Sequence, residues 1–336
     1  MPDIPFSSAA ILGTGSFGTA IARLLAPKLD RVEMIGRDEA VAASINSTRH
    51  NSRYLAGIDL PENIRATTEL GVAADHPLVL FCVPTAATRE TADVLAGHGL
   101  PRETVILSCA KGIERNTGER MSEILREKLP ENAVAVLSGP NHAEEIAACL
   151  ATCAVIGTED EVLARRLQEL FTTPHFRSYT SDDLAGIELG GAIKNVYAIA
   201  AGIAAGLGLG DNAIAALVTR ALAEMTRLGI RLGGRVETFA GLSGVGDLIA
   251  TCFSEHSRNH RVGLALGAGK SLEEATSSLG MVAEGVPNTL SIHEVAQKVG
   301  VRTPIIDAVH AILYRGMPAA RALHELLNRD PRPEND

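Results

Sequence analysis

Tryptophan is absent from the 336 residues, and aromatic side chains make up only 3%. Stacking platforms for single-stranded nucleic acid or carbohydrate are therefore not expected. Positive charge is also in deficit, with 31 Lys and Arg against 40 Asp and Glu and a formal charge of −9. That balance argues against an extended electropositive face for nucleic acid or anionic lipid, so any anionic ligand must be held by a few local cations. The cysteines number five, an odd count without zinc-ligand spacing. They read as small thiols in a reduced, cytoplasmic chain. No basic residue precedes the first apolar run, which is the wrong pattern for a secretory signal. Long hydrophobic runs are missing too. Val196–Leu209 is the longest, falls short of the ~20 residues that cross a bilayer and is interrupted by glycine. It reads as a buried helix, and stable membrane insertion is not expected.

What is present is a globular composition, 46% hydrophobic and 21% charged with 32 glycines. The length favours two domains. The first half alternates in period. Apolar runs at Ala9–Leu12, Val32–Ile35, Leu78–Val83, Val105–Leu107, Val134–Leu137 and Ala154–Ile156 have helical patterns between several of them, at Ala20–Leu29, Glu39–Asn46, Thr88–Leu95 and Arg120–Leu129. This predicts an α/β domain with a mostly parallel, doubly wound sheet over residues 1–182. After about Tyr179 strand-like runs cease. Helix-length segments at Asp183–Leu207, Asn212–Leu232, Arg258–Leu266, Leu272–Leu279 and Ile305–Leu313 predict an all-α domain over residues 183–330, with a frayed tail at 331–336.

Gly13-Thr14-Gly15-Ser16-Phe17-Gly18 follows the first strand and opens the first helix. In that context Gly13 makes the tight turn, Gly15 lets the backbone approach a pyrophosphate, and Gly18 lets helix and strand pack closely. The helix N-terminus then faces the phosphates. The α/β domain thus reads as a Rossmann-like dinucleotide-binding fold. At the end of the second strand the chain reads Gly36-Arg37-Asp38. Arg37 occupies the point where NAD-specific domains place an acid, and a guanidinium there suits the 2′-phosphate of NADP, while Asp38 keeps NAD open.

Three later constellations set polar groups beside glycine: Gly190-Gly191-Ala192-Ile193-Lys194-Asn195, Gly244-Val245-Gly246-Asp247 and Ser257-Arg258-Asn259. Lys194 stands in an apolar helical stretch, where burial lowers an ammonium pKa and allows proton exchange near neutrality. The plainer alternatives are a lysine snorkelling to the surface, an Asp247 that caps a helix starting near Leu248, and a helix start at Ser257 with a solvated arginine.

These segments, together with Ser138-Gly139-Pro140, Thr219-Arg220-Ala221-Leu222-Ala223-Glu224-Met225, His256-Ser257-Arg258-Asn259 and Val282-Ala283-Glu284-Gly285, resemble the bacterial-type NAD(P)-dependent glycerol-3-phosphate dehydrogenases from the glycine loop to about Leu327. The resemblance implies reversible reduction of dihydroxyacetone phosphate to sn-glycerol 3-phosphate for glycerophospholipid synthesis. It implies cofactor contacts at Ser16, Phe17, Arg37, Tyr54, Ala143, Val282 and Glu284, and a Lys111 shared between cofactor and substrate. It further implies substrate contacts at Gly139, Asn141, Asp247, Ser257, Arg258 and Asn259, with Arg258 also near the cofactor and Lys194 as proton acceptor. Asn141 departs from the family's usual Ser or Thr. A homodimer built through the helical half is plausible on its apolar faces. Two rival readings remain at this point. One is a 3-hydroxyacid or 6-phosphogluconate-type dehydrogenase, which tends to carry Asn four residues after the lysine, where this chain has Ala198. The other is a non-catalytic NADP sensor, which has no need of Lys194, Asp247 and Arg258 together.

Overall fold

Ala9, Ala10, Ile11 and Leu12 are all but inaccessible, as expected of a strand buried on both faces, which reads as a continuous apolar run rather than an alternating one. In the computed structural model, which describes residues 6–277, 279, 282–328 and 333, this strand is β1 (Ser8–Leu12). It lies inside a single sheet with β2 (Arg31–Ile35), β3 (Ile64–Thr67), β4 (Leu78–Phe81), β5 (Val105–Ser108), β6 (Val134–Ser138), β7 (Thr152–Gly157) and β8 (Phe176–Ser181). The order is β3-β2-β1-β4-β5-β6-β7-β8. Every neighbouring pair is parallel except β6 with β7. The chain winds outward from β1 to β3 and then returns to lay β4 on the other side of β1. This opens a crevice at the C-terminal ends of β1 and β4, where doubly wound sheets bind ligands.

Two strands are not anticipated from apolar runs. Both are sheet edges: β3 reads Ile-Arg-Ala-Thr with Arg65 exposed, and β8 buries Phe176 and Ser178 while exposing Arg177 and Tyr179. The first helix, Ser16–Leu25, begins four residues earlier than its apolar pattern, because the glycine loop supplies its first turn. It ends before Pro27 in a short 3₁₀ turn. The expected tail Pro331–Asp336 lies outside the described residues save Pro333.

Beyond β8 the regular elements of the described residues are helical. Asp183 caps the helix Leu184–Gly206, accepting from the Gly186 N–H at 2.9 Å. This helix is long and apolar enough to cross a bilayer, yet 89% of its apolar window is inside the protein, and it forms the axis of the second core. Gly210–Arg231, Asp247–Phe253, Arg258–Gly267, Gly285–Lys298 and Pro304–Arg315 pack around it. The helices Gly285–Lys298 and Ala319–Leu327 are additions to the sequence expectation. The first carries Asn288, Thr289 and Ser291 buried, which breaks its apolar stripe. Backbone-to-backbone packing joins the axis to Arg258–Gly267: a Cβ on Gly202 would lie 2.8 Å from the Leu264 nitrogen, and one on Gly263 would lie 2.8 Å from the Ile203 nitrogen.

Candidate active site

The glycine loop has the stereochemistry its sequence requires. Gly13 adopts φ +119°, and a Cβ there would stand 2.5 Å from the Cys82 carbonyl oxygen, so the loop lies directly on the end of β4. A Cβ on Gly15 would project into open space, leaving a concavity beside the backbone. Among the described residues no side chain caps the helix Ser16–Leu25 and no acidic residue stands in its first turn, so its positive dipole end suits an anion. Buried Asn51 pins the loop from behind, donating to the Thr14 carbonyl and to Thr19 Oγ1, both at 2.8 Å. Ser16 Oγ donates to the Tyr54 carbonyl at 2.6 Å, which places Tyr54 beside the loop. Phe17 is half-buried next to Gly18, and Arg37 is exposed just beyond β2. Asp38 is otherwise engaged. It caps the helix Glu39–Thr48 by accepting from the Ala40 and Val41 amides, and it pairs with Arg53 at 2.5 Å.

At the C-terminal ends of β5 and β6 the structure gathers Lys111, Gly139, Asn141, Lys194 and Asp247. Two glycines of the axis helix explain the approach. A Cβ on Gly190 would collide with the Ser243 carbonyl, and a Cβ on Gly191 would stand 2.6 Å from Ser138 Oγ and 3.4 Å from Lys111 Cγ. The segment Leu242–Gly246 therefore lies flat on the helix as a wide turn and delivers Asp247, the first residue of Asp247–Phe253, opposite Lys194 one turn beyond Gly190. Lys194 does not snorkel, and Asp247 is not a cap.

Asp247 bridges two ammonium groups. Lys194 Nζ donates to its Oδ1 at 2.5 Å, and Lys111 Nζ to its Oδ2 at 2.9 Å. Lys194 also donates to Thr251 Oγ1 at 2.7 Å, so among the described residues one of its three N–H donors is left for a ligand. Lys111 also donates to the Gly139 carbonyl at 2.8 Å and to Asn141 Oδ1 at 2.7 Å. Burial lowers the Lys194 pKa to about 8, with the charge of Lys111 adding to the effect and Asp247 opposing it. Burial pushes Asp247 up, but Lys111 and Lys194 together carry it below the ordinary carboxylate range, so it stays ionised. The Asn141 amide nitrogen and Ser138 Oγ are buried without partners among the described residues. Such orphaned groups are costly unless a bound group completes them.

The other end of the site is the N-terminus of Arg258–Gly267. Ser257 caps it, accepting from the His260 amide at 3.2 Å, and the Arg258 and Asn259 amides belong to the first turn, which has no carbonyl one turn back. Arg258 donates to the Val282 carbonyl at 2.8 Å, drawing the Val282–Glu284 segment to the site. The Asn259 side chain is anchored inside the protein, donating to Asn195 Oδ1 and accepting from the Gly285 amide, each at 2.9 Å. Among the described residues its second Nδ2 donor and its backbone amide are left for a ligand. Glu284 is half-buried, and burial raises its carboxyl pKa. Ala143 is buried at the start of Ala143–Ala147, in the wall shared with the first helix.

Sequence reasoning missed several members. Thr251 follows Asp247 by one helical turn, a spacing visible in the sequence. Asn195 is adjacent to Lys194. His142 reaches the Ala250 carbonyl at 3.3 Å, with its pKa lowered by burial and by Lys194. Asn288 has no local signal at all.

A family model described as the NAD-dependent glycerol-3-phosphate dehydrogenase N-terminus matches residues 8–164, and its C-terminal counterpart matches residues 183–324. The chain is 44% identical over 324 residues to a glycerol-3-phosphate dehydrogenase (NAD(P)+) of Clostridium tetani, covering 96% of this chain and 93% of that one. It is 46% identical over 323 residues to that of Moorella thermoacetica, covering 96% of both. The crystal structure of glycerol-3-phosphate dehydrogenase from Coxiella burnetii superposes with a TM-score of 0.93 at 37% identity, covering 96% of this chain and 99% of that one. Both halves of the site lie within these matches, and the chain belongs to the NAD-dependent glycerol-3-phosphate dehydrogenase family.

Proposed function

We propose that the protein interconverts dihydroxyacetone phosphate and sn-glycerol 3-phosphate with NADPH or NADH, supplying the glycerol backbone of phospholipids. The observation that carries the reading is the Lys194–Asp247–Lys111 triad, with Lys194 and Asp247 buried, in a chain whose first strand ends in a glycine loop at a helix N-terminus. The residues fit a dinucleotide: the space beside Gly15 admits a pyrophosphate, and Gly13, Gly18, Ser16 and Phe17 surround it. Tyr54 flanks the same loop. Asp38 is occupied by its cap and by Arg53, which leaves Arg37 to meet the ribose and favours NADP. Ala143, Val282, Glu284 and Arg258 complete the cofactor wall.

The cofactor supplies the hydride chemistry. The protein's own task is charge and position. Reduction leaves negative charge on the carbonyl oxygen, which the Lys194 ammonium stabilises and protonates. In oxidation neutral Lys194 takes the hydroxyl proton. Asp247 holds both lysines in register. Lys111, Gly139 and the unpartnered Asn141 amide face the substrate, and the Ser257-Arg258-Asn259 helix start holds its phosphate, Arg258 through a charge-assisted bond. The chain divides functionally near residue 182, into a cofactor half and a helical substrate half. We place it in the cytoplasm as a homodimer without nucleic-acid partners or stable membrane insertion.

The test follows nicotinamide absorbance with NADPH and NADH separately, with and without dihydroxyacetone phosphate. Oxidation that requires this ketone and prefers NADPH is expected, and Arg37→Ala should remove the preference. Cofactor binding without ketone-dependent turnover would sink the reading.

A further inference from the structure

Lys111 lies in the stretch after β5 where the backbone has neither strand nor helix partners, yet a partly buried carbonyl still needs a donor. Its carbonyl is met by two side-chain amides from the helical half. Asn288 Nδ2 donates at 2.9 Å and Asn195 Nδ2 at 3.3 Å. Asn288 is 1% exposed on the helix Gly285–Lys298. Its Oδ1 abuts the next peptide, since a Cβ on Gly112 would stand 2.6 Å from it. From that anchored peptide the Lys111 side chain extends to Gly139, Asn141 and Asp247.

We infer that Asn288 is a positioning residue for the reaction, fixing the Lys111 peptide so that the Lys111 ammonium meets Gly139, Asn141 and Asp247 together and sets its charge beside the substrate. The inference rests on the proposed role of Lys111 at the substrate. Lys111 has a long, rotatable stem, so the place of its main chain decides where its charge can stand, and errors of about 1 Å in catalytic groups are expensive. Asn288 itself is held by bonds that its side chain does not supply. Its amide donates to the Glu284 carbonyl at 3.0 Å, and Asn259 secures Gly285. Removing the side-chain amide therefore leaves the Lys111 carbonyl with only the longer Asn195 bond while the Val282–Glu284 segment stays in place.

The test is a double-mutant cycle on the full-length enzyme, with Asn288→Leu of similar size, Asn288→Ala as the variant that cannot overpack, and Lys111→Met. NADPH binding serves as the check on folding. Asn288→Leu and Asn288→Ala should each lower kcat/KM for dihydroxyacetone phosphate about tenfold with the KM for NADPH within about twofold, and should cost nothing further in the Lys111→Met background. An equal loss in both backgrounds would mean that Asn288 acts by general packing, and wild-type kinetics in both Asn288 variants would mean that its bond is idle. Either result overturns the inference. Wild-type turnover in Lys111→Met alone would instead remove the reading of Lys111 on which the inference rests.

Discussion

Asp247 is the residue on which the rest of the centre depends. A single buried carboxylate between two ammonium groups holds Lys111 at 2.9 Å and Lys194 at 2.5 Å through its two oxygens and offsets one of their two charges. The compensation is incomplete for Lys194, because burial outweighs the pull of Asp247 and sets its pKa to about 8. The sign of the pH dependence follows. On the role proposed for Lys194, reduction uses the ammonium form, so kcat/KM for dihydroxyacetone phosphate should be flat below about pH 8 and fall above it. Oxidation of glycerol 3-phosphate uses the neutral amine and should rise through the same region. Lys194→Ala should collapse turnover in both directions while cofactor binding survives. Lys194→Arg keeps a charge that does not titrate in this range, and any residual reduction should lose the alkaline limb. A limb unchanged in Lys194→Arg would assign the titration to another group.

At the scale of elements, the sequence was most legible where one face or one loop dictates the residues. The central strands announce themselves as apolar runs, and the glycine loop names its own context. The edge strands β3 and β8 were hidden because one of their faces is solvated over only four to six residues. The helix Gly285–Lys298 was hidden because its inward face carries Asn288 and Thr289, which satisfy backbone groups rather than pack as hydrocarbon. In the site, Lys194, Asp247 and Arg258 were legible through motif resemblance. The Asn288–Lys111 bond was not, because it joins residues 177 apart with no shared periodicity. The small-residue seam between Leu184–Gly206 and Arg258–Gly267 is a further contact that only the fold explains. A Cβ on Gly263 meets main-chain atoms of the axis helix, including the Ile203 nitrogen at 2.8 Å, and main chain cannot rotate aside. Gly263→Ala should therefore destabilise the protein by about 1–3 kcal/mol despite the better helix propensity of alanine. Because the seam also aims the Ser257-Arg258-Asn259 turn, the same variant should raise the KM for dihydroxyacetone phosphate. Denaturant unfolding at unchanged slope, combined with steady-state kinetics, checks both. A stabilised variant would show that the seam has slack.

The whole molecule presents a conflict of charge. Its net −9 should repel a phosphorylated substrate and cofactor, whereas in the candidate site Lys111, Lys194 and Arg258 stand against Asp247 and Glu284. Range decides between them. The excess carboxylates are spread over 14901 Å² of surface, and at about 0.1 M salt the Debye length is about 10 Å, so their summed field is screened before it reaches an anion already at the mouth. The cations of the cleft act at contact distance in a partly dehydrated space, where attraction is stronger and screening weaker. Raising salt from about 0.05 M to about 0.5 M should therefore increase the KM for dihydroxyacetone phosphate a few-fold, with little change in kcat, since salt weakens the approach to the local cations and competes for the anion position. If the global field governed access, the same titration would lower KM, because screening would relieve repulsion. Arg258→Gln sharpens the test. With one cation of the cleft removed, KM should start higher and depend less on salt, whereas a variant with an unaltered salt slope would place the anion elsewhere.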